Sequence, residues 1–586
     1  MAKTLSDQVL ETLKSVGVRR IFGIPGDTID TLMESLRVED DVEFVVCRHE
    51  ANAAFMASGE TRVSGGLGVA VACQGPGTNN LINGLADAAG DRIPILCITG
   101  QVDSDRIGSG MPQESSQLKL LDEITVFNAE ARTPINLMEL LHIAINAALT
   151  KRGVAHISVP SDVMLQAAVH YPLPVPVTAH DSECVPSDEA LQRAADVIAA
   201  SKRPAILYGA GARSAAAQVV ALSEKLQAPL LHTTRSKDII DNNHDNVLGG
   251  IGIMGNHPAN HAMHEADLLI IVGCNFAWRQ FYPSGVPIVK IDIDPEHLAT
   301  HIPVTHPMLA SARPAVQGLL DRLDDRTDDG FLKKSRKPLV KLIDDFVFKA
   351  KATKPNKPVH PAAIMHAIAK TMDDDAIICG DSGSTTIWFN NAVRITDKQR
   401  FIWSANLATL GGGMPQAIGA SFAAPDRQVI MIGGDGGFQM SIQDLVTAAM
   451  YDRPIKCFIL NNGCYKFIEF EEASHDGNVA SGTRFLNPDY AALAEACHCK
   501  GISVKNYDDL LPAVEAALAH DGPVVVDCNT DPDALMIPPA VTPHMAANYV
   551  KSEIKSWFTK PSPEVVRLAA AAEAENNRLH GEAAGN

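Results

Sequence analysis

Short apolar runs recur along the chain, each closed by glycine, proline or small polar residues. GVAVAC, IPILCITG and VAHISVP come first, then AILYGAGARS, APLLHTT, LLIIVGCNF and PIVKIDIDP, then RQVIMIGG and PIKCFIL. Runs of this kind predict strands buried on both faces. Between them lie amphipathic stretches such as TLSDQVLETLKSVGV, so strand and helix alternate and the fold class is α/β with parallel sheets. The pattern divides the chain into three consecutive α/β domains, 1–182, 183–335 and 358–540, with the second opening after the proline-rich LPVPVTAHDSECVPS. A highly charged, helix-bearing connection, whose linker is 336–357, separates the second from the third. A helical tail occupies 541–586.

One stretch carries chemistry by its own pattern: GGDGGFQMSIQDLVTAAMYDRPIKCFILNNG, residues 433–463. RQVIMIGG reads as a strand, Met440, Leu445 and Met450 recur near helical spacing, and PIKCFIL reads as a second strand. Strand, helix, strand makes a βαβ unit, which brings both carboxyl ends to one sheet edge. Asp435 and Asn462 then meet at the crevice where open α/β sheets bind ligands. Gly434, Gly436 and Gly437 let the backbone turn and approach a ligand closely. A carboxylate, an amide oxygen and a nearby backbone carbonyl are hard oxygen ligands suited to Mg²⁺, which takes its remaining ligands from a diphosphate and water.

Composition narrows the alternatives. The 586 residues are 46% hydrophobic and 20% charged, those of an ordinary soluble globular protein. A net charge of −19 offers no footprint for nucleic acid and discourages adsorption to anionic lipid. The eleven cysteines are scattered through apolar runs, and the nearest pair, Cys497 and Cys499, lacks metal-site spacing. They read as reduced, buried thiols of a cytoplasmic protein. MAKTLSDQVLETL is not a signal peptide, and no apolar run is long enough to span a bilayer.

Several further segments, together with GDG…NN, resemble the thiamine-diphosphate-dependent enzyme superfamily, from about residue 3 to 540. CRHEANAAFMASGETR at 47–62 is similar to the segment whose glutamate, here Glu50, contacts the cofactor's aminopyrimidine. CQGPGTNNLINGLADA at 73–88 resembles the Gly-Pro-Gly segment that follows it, and LATLGGGMPQAIGA at 407–420 the stretch whose bulky residue bends the cofactor. The resemblance implies that Gly26, Gly75, Ala408, Thr409 and Leu410 join the three glycines around thiamine diphosphate. It implies the backbone oxygen of Cys464 as the third protein ligand to Mg²⁺. A carboxyl group at Glu50 would hold the ring nitrogen and favour the tautomer that removes the thiazolium proton. The domains would be pyrimidine-binding, FAD-binding-type and diphosphate/Mg-binding in chain order.

Within the superfamily, IGSGMPQESS, GCNFAWRQFYPSGVPIVKIDIDP and CYKFIEFEE are most similar to the pyruvate oxidases and quinone-dependent pyruvate dehydrogenases, which carry FAD. That resemblance implies oxidative decarboxylation of pyruvate or a close 2-oxo acid through a thiamine-bound enamine, with electrons passing from FAD to a quinone and acetate released. Gln113 and Glu471 would lie near the reacting carbon, and Phe467 between thiamine and flavin. FAD would meet Gly209, Gly211, Arg235, Gly252, Ile253 and Met254. It would also meet Cys274, Asn275, Phe276, Trp278, Arg279 and Asp292. Pro112, Lys466 and Ser311-Ala312 depart from the family pattern, the first two at the active centre. Two other products stay open: acetyl phosphate made with oxygen and phosphate, or the C–C bond of an acetolactate-synthase-type carboligase. The superfamily also implies at least a dimer, here a tetramer. HMAANYVKSEIKSWFTK at 544–560 sets Met545, Tyr549, Trp557 and Phe558 among lysines, as in an interfacial helix making peripheral membrane contact. A second helix is expected to start at Ser562-Pro563-Glu564.

Overall fold

The structure is a computed structural model, and it describes residues 3–173, 183–351, 357–479, 481–534 and 543–558. Three six-stranded parallel sheets follow one another. The first contains β1 (Arg20–Gly23), β2 (Glu43–Val46), β3 (Gly68–Ala72), β4 (Ile95–Gln101), β5 (Thr125–Glu130) and β6 (Val154–Pro160), in the order β2-β1-β3-β4-β6-β5. The second contains β7 (Pro204–Tyr208), β8 (Leu230–His232), β9 (Val247–Gly250), β10 (Leu268–Val272), β11 (Ile288–Asp292) and β12 (His306–Leu309), in the order β12-β11-β10-β7-β8-β9. The third contains β13 (Ile377–Gly380), β14 (Arg400–Ile402), β15 (Val429–Gly434), β16 (Ile455–Asn461), β17 (Lys500–Val504) and β18 (Val524–Asn529), in the order β14-β13-β15-β16-β18-β17.

The first and third sheets therefore share one strand order, while the second has the doubly wound order of dinucleotide-binding folds. In all three the chain builds first on one side of its opening strand and then on the other, so the order switches between β1 and β3, between β7 and β10, and between β13 and β15. Turns carrying Gly26, Gly209 and Gly434 leave the strands at those points, which are where open α/β sheets hold ligands.

A common core joins the first and third domains. Helix Glu50–Ser64 crosses helix Gly413–Ala423 so closely that a Cβ on Gly59 would stand 2.2 Å from the carbonyl oxygen of Gln416, and one on Gly419 1.9 Å from that of Met56. Only glycine permits that approach. The charged connection forms a 22-residue helix, Gly330–Lys351. Its Leu339 is buried in the second domain and its Ala350 in the third, so the helix spans both.

The expected amphipathic helix between β15 and β16 is not continuous. A helical turn, Asp435–Phe438, and a 3₁₀ turn, Ile442–Asp444, precede a short helix, Leu445–Met450. Leu445 is buried, but Met440 and Met450 are 50% and 58% exposed. Gln439 is still helical, and the backbone leaves helical geometry by Ser441, at φ −129° and ψ 4°, after a turn pinned by the Asp435 contacts described below. All eleven cysteines are free thiols, most of them buried, with Cys184 exposed. Among the described residues no helix is long and apolar enough to cross a membrane. Helix Pro543–Phe558 is present in the tail; the second expected tail helix lies outside the described residues.

Candidate active site

The third sheet builds one half of the site. Asp435, at the tip of β15, is 2% exposed. One of its carboxylate oxygens accepts the Gly436 amide at 2.8 Å. The other accepts the amides of Asn462 and Gly463 at 2.9 and 2.6 Å and the Asn487 Nδ2 at 2.7 Å. Burial raises its pKa above the ordinary aspartate value against these hydrogen bonds, and among the described residues no cation forms an ion pair with it. The Asn462 Oδ1 accepts the Cys464 amide at 3.0 Å, and the Cys464 carbonyl accepts the Lys466 amide at 2.8 Å; with the Asp435 contacts to the Asn462 and Gly463 amides, this brings the three expected metal ligands to one sheet edge. Across the reversal point, the Ser382 Oγ at the end of β13 is buried without a hydrogen-bond partner. A buried carboxylate lacking a counter-cation and a buried hydroxyl lacking an acceptor fit a metal ion and a diphosphate. No group of three or more His, Cys, Asp or Glu side chains forms a metal cluster among the described residues, so diphosphate oxygens would have to complete the coordination.

The glycines here have a second duty. A Cβ on Gly436 would stand 2.4 Å from the Tyr465 ring, and one on Gly437 the same distance from the Asp381 carboxylate. Gly434 is not crowded in this way and is free to face a ligand.

The first sheet carries a second group of candidates. Glu50 opens its helix, whose N-cap is His49, and the buried Glu50 Oε2 accepts the Asn80 Nδ2 at 3.0 Å. Gly26 meets Cys73 across the reversal point, where a Cβ would come within 2.5 Å of the cysteine Cβ. Gln113 is held at φ +66°. Its carbonyl would stand 2.5 Å from a Cβ on Gly75, and its Oε1 accepts the Gln74 Nε2 at 3.3 Å. Gln113, Gly75 and Glu50 thus share one edge.

Residues 407–410 arch over from the third domain. Ala408 takes φ +52°, and the Thr409 hydroxyl pairs with the Asn83 side-chain amide at 3.1 Å. Leu410 lines a cavity of about 480 Å³ with His49, Phe55, Asn80, Leu407 and Met440. Helix Lys466–Asp476 carries the remaining candidates. Phe467 is half-buried against the third-domain core, and Glu471 reaches the surface, with a pKa raised by partial desolvation. Glu469 holds the start of this helix, receiving Lys466 at 2.8 Å and Arg484 at 3.1 Å.

In the second domain the turns after β7 and β10 pack backbone to backbone. The Gly211 amide donates to the Gly273 carbonyl at 3.0 Å, and a Cβ on Gly209 would stand 2.3 Å from that oxygen. Gly252, at φ +83°, lies under the Phe276 ring, whose carbonyl accepts the Tyr282 hydroxyl. Cys274 is buried; Ile253 and Met254 are half-buried; Asn275, Trp278 and Arg279 are exposed. The Asn275 Oδ1 accepts the Thr300 hydroxyl. Asp292 caps the strand-end turn by accepting the Asp294 amide at 3.0 Å, with His297 at 3.4 Å. Arg235 is held by Asp91 of the first domain, donating to its carbonyl and lying 3.7 Å from its carboxylate. Burial pushes its pKa down to about 10.

Reading the sequence did not single out Asp381, Asp91, Asn487 or Glu469. Only Asp381 carried a usable signal: CGDSGS at 379–384 repeats the strand-then-Gly-Asp pattern of GGDGG.

This geometry agrees with what the chain is similar to. Residues 3–120, 191–319 and 381–528 match the family models described as thiamine pyrophosphate enzyme, N-terminal TPP binding domain, central domain and C-terminal TPP binding domain. The chain is 34% identical over 570 residues to the "Putative thiamine pyrophosphate-containing protein YdaP" of Bacillus subtilis, covering 97% of this chain and 98% of that protein. It is 29% identical over 534 residues to a pyruvate oxidase of Lactiplantibacillus plantarum, covering 89% and 87%. It is 30% identical over 556 residues to the acetolactate synthase isozyme 1 large subunit of Escherichia coli, covering 93% and 97%. The chain belongs to the thiamine pyrophosphate enzyme family, and it is a thiamine-diphosphate-dependent enzyme.

Proposed function

We propose that the protein oxidatively decarboxylates pyruvate or a close 2-oxo acid, with FAD in the second domain passing electrons to a quinone and acetate as product. The observation that carries this reading is the doubly wound order of the second sheet, with the Gly209–Gly211 and Gly273–Cys274 turns at its reversal point. The Gly252–Met254 turn also leads toward the active-site domain: the Met254 carbonyl accepts the Asn390 Nδ2 at 3.3 Å, and Met254 and Phe467 pack on the same third-domain core.

Thiamine diphosphate, when bound, supplies the carbon nucleophile and the electron sink that 2-oxo acid decarboxylation needs. The chain's own residues do the rest. Asp435, Asn462 and the Cys464 carbonyl would present oxygens to Mg²⁺, and the Ser382 hydroxyl would donate to a phosphate oxygen. Leu410 and the arch around it would bear the ring. The Glu50 Oε2, oriented by Asn80, is placed to exchange a proton with a ring nitrogen. Gln113, held in its strained turn, and Glu471 offer polar contacts to the substrate. The half-buried Phe467 excludes water.

The relatives named acetolactate synthase favour a second reading, a carboligase in which the flavin is not reduced. Anaerobic mixing of the FAD-loaded enzyme with pyruvate separates the two. Bleaching of the flavin band with release of acetate on adding quinone is the expected result. An unchanged flavin spectrum with acetolactate accumulating would sink the oxidase reading, and an absolute phosphate requirement would replace acetate with acetyl phosphate. We further propose that the working form is at least a dimer, most simply a tetramer, and that helix Pro543–Phe558 is the element that meets a membrane surface.

A further inference from the structure

Two buried carboxylates grip the two ends of the segment 404–413. At its far end, Asp381 accepts the Gly411 amide at 2.9 Å on one oxygen and 3.2 Å on the other, together with the amides of Gly413 and Ser382. Gly437, in the turn begun by Asp435, packs on the same carboxylate. At its near end, Asp91 accepts the amides of Ala405 and Asn406, each at 3.2 Å, and the Asn406 side chain donates to the Gly90 carbonyl. Ser404 adds an internal brace, its hydroxyl accepting the Thr409 amide at 3.0 Å. Between these feet Leu407 and Ala408 are exposed, and Thr409 and Leu410 are only half-buried.

We infer that Asp381 and Asp91 are positioning residues that clamp the feet of the 404–413 arch, with Asp381 tying the arch, which bears the cofactor's ring, to the Gly434–Gly437 turn, which faces its diphosphate. The two ends of the cofactor are thereby offered sites at one set separation. Asp91 extends the clamp to the second domain through Arg235 and, with Asp87, neutralises the buried Arg62. The inference rests on the cofactor reading above.

The chemistry of the clamp makes it testable. The Asp381 carboxylate receives the backbone N–H groups of Ser382, Gly411 and Gly413, so Asp381→Asn sets an amide NH₂ against one of these donors while barely changing volume. In the cofactor-free protein this variant should speed hydrogen exchange at Gly411 and Gly413. In calorimetry with Mg²⁺, it should weaken thiamine diphosphate binding by about tenfold while changing inorganic pyrophosphate binding by less than about twofold, as expected when a charge-assisted hydrogen bond to the arch is lost and the isosteric side chain keeps its packing on Gly437. Ser404→Ala, which leaves every buried charge in place, should speed exchange at Thr409 and weaken thiamine diphosphate in the same selective way. It decides the matter if Asp381→Asn does not fold. Wild-type affinity for thiamine diphosphate in the folded variants, or equal loss of thiamine diphosphate and pyrophosphate, would overturn the clamp. A wild-type chain that binds pyrophosphate but not thiamine diphosphate would instead remove the cofactor reading beneath it.

Discussion

Asp435 and Asn462 illustrate how far single residues can be read. Their pairing follows from a βαβ unit whose strand ends must share an edge, and every step of that inference is local. Arg235 shows the opposite case. A cation behind a strand looks locally like a diphosphate ligand, and nothing nearby reveals that its partner is Asp91, 144 residues earlier. Two predictions belong at this scale. Asp435→Ala or Asn462→Ala should lower Mg²⁺-dependent thiamine diphosphate affinity by roughly tenfold or more while leaving the fold intact, since each removes a hard oxygen ligand from the shared strand edge. Calorimetry giving unchanged affinity in both variants would end the metal assignment. Glu50→Gln should keep the Asn80 contact and the cofactor but slow exchange of the thiazolium proton by about 10²–10⁴-fold, because an amide cannot exchange the proton the carboxyl does. Deuterium exchange at the wild-type rate would refute that role.

At the scale of elements, the central strands were the most legible because both of their faces are buried and their composition is apolar, whereas edge strands such as β2, β5, β12 and β17 are partly exposed and mixed in composition. The helix expected over Met440, Leu445 and Met450 was misread, since apolar residues five apart do not track one helical face and the pinned turn at Asp435–Phe438 breaks the path. The tail was half-legible. Tyr549 lies among lysines as an interfacial residue would, but in the structure its ring packs 5.7 Å from Phe470, on the helix that carries Phe467 and Glu471. Asn548 donates to the His475 carbonyl at 2.7 Å and Ser552 to that of Asn478 at 2.6 Å. Val550 and Ile554, one turn apart, remain 57% and 47% exposed. The docked face is therefore not the one that carries Val550 and Ile554, and the proposed membrane contact would use the latter. Truncation after Pro543 should abolish binding to liposomes and any lipid activation while sparing turnover with a short-chain quinone or ferricyanide. Co-sedimentation and steady-state assays check it, and equal liposome binding by both chains would exclude the tail as the contact.

For the whole molecule, the recurrence of one strand order in the first and third sheets means that their reversal points are equivalent places in two copies of one architecture. One carries Gly26 and Gly75 near Glu50, and the other carries Asp381 and the Asp435 turn. The surface between them is not fully covered by the chain itself. The cavity flanked by Phe55, Asn80 and Leu410 is edged by Leu407 and Met440, which are 44% and 50% exposed. Apolar groups of that size around a wet cleft lose free energy by burial, at about 25 cal/mol per Å². We expect a second copy to cover this surface, so that a complete cofactor site exists only in the oligomer. Met440→Lys places a charge at the rim without touching Asp435, Glu50 or Asp381. Light scattering should show it shifting the protein toward monomer, and calorimetry should show thiamine diphosphate affinity falling with it, by about tenfold or more if burying the lysine costs even 1.4 kcal/mol. A wild-type chain that is monomeric at assay concentration and still turns over substrate would show that one chain holds the whole site.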